Sequence, residues 1–210
     1  MADVTVKILV PADDFSLISL ETAKIALGIS AADVSNDAQL QWLIDTNSAV
    51  VSTLCNRVFA KETLVESWRD LGPDVRRLYL THWPVKEADI QSVMTNGNTR
   101  LDWELDEGQG KLSIFSDRAE PIIVEYTGGY DLPEEAPLAL QQATALLVST
   151  TKGEQAAASL SGVRMISHKE SRVMFHSPSS GGSSNTGSGA SAQTKDTVTA
   201  LLGHFIKHWI

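Results

Sequence analysis

The sequence predicts an α+β fold: a helical body of three main helices, a small antiparallel β-sheet, and a flexibly tethered C-terminal amphipathic helix. Three observations lead there. Apolar residues recur at helical spacing in two separated blocks, the period drops to two between them, and an uncharged Gly/Ser tract isolates the last stretch of chain. The expected organisation is a body over 1–176, a linker over 177–194 and a docking helix over 195–210.

The first helix is expected over Ser19–Ile29. Ser19 is suited to cap it, Glu21 lies in its first turn, and Leu20, Ala23 and Leu27 share a face. Gly28 is suited to end it. The longest helix is expected over Asn36–Val58, where Asn36 and Gln39 have the spacing of a capping box. Leu40, Leu43, Ile44, Val51, Leu54 and Val58 form its apolar stripe. Trp42 lies off the centre of that stripe, at the edge of a core or in a contact between subunits.

From Lys61 the pattern alternates: Leu64, Glu66 and Trp68 on one face, Thr63, Val65, Ser67 and Arg69 on the other, as in a half-buried strand. Further strands are expected over Arg77–Thr81, Asp89–Thr95, Thr99–Leu105, Lys111–Phe115 and Pro121–Tyr126. Asn96-Gly97-Asn98 marks a tight hairpin. Together these make one small sheet of five or six strands. Pro133-Glu134-Glu135-Ala136-Pro137 then opens a helix with its prolines at the first turn, where their missing N–H groups cost least. Ala139, Leu140, Ala143, Leu146 and Leu147 give its apolar face. Two short strands follow, over Gly162–Ile166 and Ser171–Phe175.

Residues 177–194 carry no charge and consist of Ser, Gly, Asn, Thr, Ala, Pro and Gln. As a random coil such a tether spans about 20–25 Å. Beyond it Val198, Leu201, Leu202, Phe205 and Trp209 recur at i, i+3, i+4, i+7 and i+11, so they form an apolar stripe expected to dock on the portal or an adjacent subunit, or else to pack on its own subunit.

Seventeen Lys and Arg against 26 Asp and Glu give a net charge of −9. That balance disfavours wrapping of nucleic acid, which needs clustered cations. Cys55 is the lone cysteine and is expected as a small buried apolar residue. The N-terminal stretch has the features of neither a signal peptide nor a membrane span. No phosphate loop or nucleophile elbow is legible. His204 and His208 stand four apart without a third ligand, and read as solvent-facing residues of a last helical turn. The pairs Asp13-Asp14, Asp106-Glu107 and Glu134-Glu135 fall in turns or helix starts, where turn chemistry explains them. No catalytic, cofactor or metal residue is therefore assigned.

Several segments, taken in order, carry a family pattern: Leu17-Ile18-Ser19-Leu20-Glu21-Thr22-Ala23-Lys24; the Asp37–Arg57 helix; Leu78-Tyr79-Leu80-Thr81-His82-Trp83-Pro84-Val85; Ile90-Gln91-Ser92-Val93; and Ile123-Val124-Glu125-Tyr126-Thr127-Gly128-Gly129-Tyr130, with Leu132-Pro133 and an Ala/Leu-rich helix after it. Over roughly 15–152 the chain resembles the head–tail connector (adaptor, head-completion) proteins of long-tailed bacteriophages. It departs from them in Val4–Val10, ahead of the family's usual start, and in the longer Gly/Ser linker. The resemblance implies a non-enzymatic virion protein of the neck, assembled in the bacterial host cytoplasm. It implies a homo-oligomeric ring of twelve copies that contacts a portal protein on one side and a stopper or tail-completion protein on the other. Genomic DNA would pass through the channel without specific binding, and no membrane or cofactor is involved. A stopper or tail-terminator protein is the structural alternative, and a small enzyme or binding module with an unrecognised site is the other.

Overall fold

The computed structural model describes residues 3–71, 77–115, 121–159, 165–168, 171–174 and 189–206, with side chains up to 156 and again over 194–206. The fold is α+β, as the periodicities require. Its described residues divide into a β unit (3–17 and 52–136) and a helical unit (18–51 and 137–205).

In the β unit the alternating stretch after Lys61 becomes a central strand. The strands are β1 (Asp3–Val10), β2 (Glu62–Arg69), β3 (Arg77–Tyr79), β4 (Ile90–Thr95), β5 (Asn98–Thr99), β6 (Trp103–Asp106), β7 (Lys111–Ile114) and β8 (Ile122–Gly128). They form two antiparallel sheets, β1-β2-β8-β4-β5 and β3-β7-β6, where the periodicity had suggested a single sheet. The split falls at Arg100–Asp102. Asn96 and Gly97 both take positive φ and fold β5 back on β4, but the pairing stops after Met94↔Thr99. The run expected as one strand over Thr99–Leu105 therefore serves both sheets.

Val4–Val10 was not expected as a strand. It forms β1, paired with β2 from Asp3↔Arg69 through Val6↔Glu66 to Ile8↔Leu64, with a bulge before Val10. Leu64, Trp68, Val93, Ile122, Val124 and Tyr126 of the larger sheet and Leu78, Leu112 and Ile114 of the smaller one share a core. Gly129 has φ +110, and a Cβ there would overlap the Ala60 carbonyl. Only glycine lets Phe59–Lys61 lie against Tyr130, where Tyr130 N donates to Phe59 O at 2.8 Å and Lys61 N to Tyr130 O at 3.0 Å.

The helical unit starts with α1 (Leu20–Ala26), whose Ser19 cap accepts from Thr22 N as expected. Gly28 follows with positive φ. The long helix α2 runs Asp37–Cys55 and buries Leu40, Leu43, Ile44 and Val51. Leu54, expected on that stripe, is exposed instead. Gln39 donates to Gln155 and not back toward Asn36, so the expected capping box is replaced by a contact with another helix. That helix is α3 (Leu138–Ser159). Its start lies beyond Pro137 and not at Pro133. Ile18, Ala23, Leu40, Leu43, Ile44 and Val148 make the unit's core. β9 (Met165–His168) and β10 (Ser171–Met174) pair as a hairpin.

The last helix, α4, runs Gly189–Leu202 and packs on α3. Its first turns thus lie inside the stretch expected as linker, and residues 177–188 lie outside the described residues. Among the described residues, no helix is long and apolar enough to cross a membrane.

Candidate functional site

The chemistry-bearing side chains of the β unit are gathered inside it. β2 presents Glu62 and Glu66 on the same face as Leu64 and Trp68, and that face is buried. Opposite them, the turn after β3 brings Thr81 and His82. His82 Nε2 lies 2.9 Å from Glu62 Oε2, and Thr81 Oγ1 lies 3.1 Å from His82 Nδ1. Ala12 N donates to the other oxygen of Glu62 at 3.3 Å. Glu66 Oε1 accepts from the Thr81 backbone N–H at 2.8 Å and from the Thr81 and Tyr126 hydroxyls. His82 N donates to Tyr126 Oη at 3.1 Å.

Arg57 completes this interior. Its guanidinium lies 3.3 Å from the Trp83 ring centre and 4.5 Å from that of Phe59, and donates to the Trp83 carbonyl. Burial lowers its pKa to about 10. Burial also holds the His82 imidazole below its ordinary range, against the pull of Glu62 and Glu66. The Tyr126 hydroxyl is pushed up by burial and by Glu66. Cys55 is buried as expected, and its thiol is raised to about 11, so it is inert. Glu62, Glu66, Thr81, His82 and Tyr126 form one connected hydrogen-bonded group, while Glu66 Oε2 and Arg57 Nε and Nη1 are buried without a hydrogen-bond partner among the described residues. Their effect is to clamp the Thr81–Val85 turn to the sheet.

Two open grooves of the β unit are lined by charged residues, with one ion pair at each. One of about 310 Å³ is lined by Lys61, Lys86, Asp89, Tyr130 and Glu135, with Lys61 paired to Asp131 at 2.9 Å. Another of about 630 Å³ is lined by Arg77, Glu104, Asp106, Lys111 and Phe115, with Lys111 paired to Asp106 at 3.1 Å. Among the described residues no His, Cys, Asp and Glu group could hold a metal ion.

The residues expected at the C-terminal stripe differ in burial. Val198 and Leu202 are buried in the helical unit, where α4 meets α3. Leu201 and Phe205 are half-buried, and Trp209 lies outside the described residues. Trp42 is 56% exposed on α2, in keeping with its place off the stripe. His204 is exposed beside Phe205, and His208 lies outside the described residues.

Two sets of exposed apolar side chains went unforeseen. Every residue of β1 is exposed, including Val4, Val6, Ile8, Leu9 and Val10. Leu101, after β5, is 90% exposed, and Phe115, after β7, is 59% exposed. The signal for the first was present in the alternation Val4, Val6, Ile8.

The fold is thus that of an α+β chain with a two-sheet unit and a helical unit, with a buried polar cluster in the first and exposed apolar side chains on β1. No protein-family model matches the chain, and no curated protein matches it. Solved structures do. A chain from the neck of an empty gene transfer agent particle, computed with C6 symmetry, superposes with a TM-score of 0.56 at 11% identity, over 98% of this chain and 97% of that one. A chain from the virion of a native gene transfer agent particle gives 0.56 at 12% identity, with the same coverage. A chain from the neck of a native particle, computed with C12 symmetry, gives 0.51 at 13%, again with the same coverage. At such identities the shared property is the fold.

Proposed function

We propose that this chain is a neck subunit of a phage-type particle, a head–tail adaptor that acts as a ring and is not an enzyme. The observation that carries the reading is a likeness of fold that runs the whole length of the chain, to chains from necks computed with C6 and C12 symmetry. It agrees with the order of sequence segments that resembles bacteriophage connectors. In this reading twelve copies close a ring beneath a portal, with a stopper or tail-completion protein below. Head-to-tail closure requires two different surfaces on each subunit, and the chain has exposed apolar side chains on several separate elements.

The net charge of −9 suits a conduit, because an acidic wall repels DNA where a basic one would hold it. The C-terminal end is the proposed portal anchor. Val198 and Leu202 are already covered, so among the described residues the surface it offers is Leu201 and Phe205.

Particle assembly without this protein tests the reading. The expected products are DNA-filled heads and separate tails that join when purified protein is added back. Joined, infectious particles formed in its absence would contradict it.

A further inference from the structure

We infer that neighbouring copies join through their helical units, the outer face of α2 in one copy seated on the outer face of α3 in the next. This rests on the ring reading above and names the two surfaces that close the ring.

A surface helix sets its charged residues opposite its buried stripe, and the two long helices here do not. α2 holds only Asp37 and Asp45, and α3 only Lys152 and Glu154. On α2, Ala38, Trp42, Thr46 and Ala49 are exposed and fall within about 80° of arc. Asp45 stands at the margin of that stripe, where its carboxylate accepts from Gln41 Nε2 at 2.8 Å. On α3, Leu138, Gln142, Ser149, Gly153 and Ala156 are exposed within about 60° of arc. Trp42 is 56% exposed and Leu138 81%.

Their placement makes these stripes two different surfaces. Leu40, Leu43 and Ile44 of α2 share the unit's core with Val148 of α3, and Thr151 Oγ1 donates to Asn47 Oδ1 at 3.4 Å. Each stripe lies on the side of its helix turned away from that core. α4 packs on α3 and still leaves the α3 stripe exposed. One unit therefore presents two unlike faces on different flanks, as head-to-tail closure requires. The α2 face is built around a projecting indole. The α3 face narrows to Ser149, Gly153 and Ala156, where an indole can rest close to the helix backbone.

Charge selects which surfaces meet. Outside the β unit Asp and Glu are equal in number to Lys and Arg, so the whole net charge of −9 lies in the β unit. Like charges set against each other oppose association, so acidic β units keep apart and copies approach through the neutral helical units. The same distribution settles what covers the α2 stripe. A neighbour's β unit would bury carboxylates against an uncharged face, at the cost of their hydration. The uncharged stripe of a neighbour's α3 carries no such cost.

The test places a charge on each stripe of the full chain, mixed with the portal protein of the same particle and followed by sedimentation. Ala49→Glu and Ser149→Glu are each expected to melt like the native chain, because both positions are exposed, and to lose ring formation. Thiol cross-linking gives a second measurement with different variants. Thr46→Cys and Gln142→Cys, carried on separate chains, are expected to give bismaleimide-linked dimers on the portal only when the two chains are mixed; the native Cys55 is buried and stays out of the reaction. Rings that form normally with both Glu variants would overturn this inference and leave the ring reading standing. Linked dimers of the Thr46→Cys chain alone would overturn it in favour of a two-fold contact. A native chain that stays monomeric on the portal would overturn both.

Discussion

Val6 and Glu66 face each other across the first strand pair, yet the carboxylate is fully buried and the valine is 41% exposed. Burial in this unit is therefore set by position in the sheet and not by polarity. The interior strand takes its charge inside, and the edge strand leaves its apolar face out.

Tyr126 is one of three donors to the buried Glu66 Oε1, beside the Thr81 N–H and hydroxyl, and the acceptor for His82 N. Tyr126→Phe removes its hydroxyl from Glu66 Oε1 and takes the acceptor from His82 N. A buried polar group left without its partner costs about 1–3 kcal/mol. Urea unfolding is expected to show a loss of that size with an unchanged slope.

His82 gives the fold a pH dependence. Burial keeps the imidazole below its ordinary value of 6.5, despite Glu62 beside it. The unfolded chain therefore binds more protons once pH falls through that value. Stability rises with pH in this window, is fully present above about 6.5 and is lost as pH falls below it. Thermal melts between about pH 7.5 and 5 are expected to fall more steeply for the native chain than for His82→Gln.

Gly129→Ala places a methyl group against the Ala60 carbonyl at φ +110, a conformation that L side chains rarely adopt. Strain of this kind costs of order 1–3 kcal/mol before the clash is counted. The variant is expected to lose at least that in equilibrium unfolding. Gly97→Ala, with positive φ but open space around it, is expected to lose less.

Trp42 separates stability from assembly. It is 56% exposed on α2, and surface substitutions usually change stability by less than about 0.5 kcal/mol. Trp42→Ser is expected to melt like the native chain. If this side chain serves a subunit contact, ring formation on the portal falls in the same variant, as sedimentation would report.

The helices and most strands were legible because each has one buried face: Ser19 caps α1, and Leu40, Leu43 and Ile44 recur at helical spacing in α2. β1 was missed because its alternating apolar side chains stay exposed, so it looked like an extension ahead of the fold. The division into two sheets was not legible either. It depends on where β5 stops pairing, which the hairpin residues Asn96 and Gly97 do not encode. The Glu62–His82 and Glu66–Tyr126 contacts join residues distant in sequence, although Glu66 in line with Leu64 and Trp68 already marked a charge on a buried face. Of the apolar stripe at the C-terminal end, Val198 and Leu202 are buried on α4, which packs on α3, in line with the alternative that this helix packs on its own subunit.

The central claim is that the subunit works as a closed ring. Native mass measurement of the full chain bound to the portal protein tests it most directly. The account predicts a single complex that carries twelve copies on one portal, with little assembly of the chain alone. A portal that binds no copies, or binds them in a broad distribution without a closed number, would contradict it.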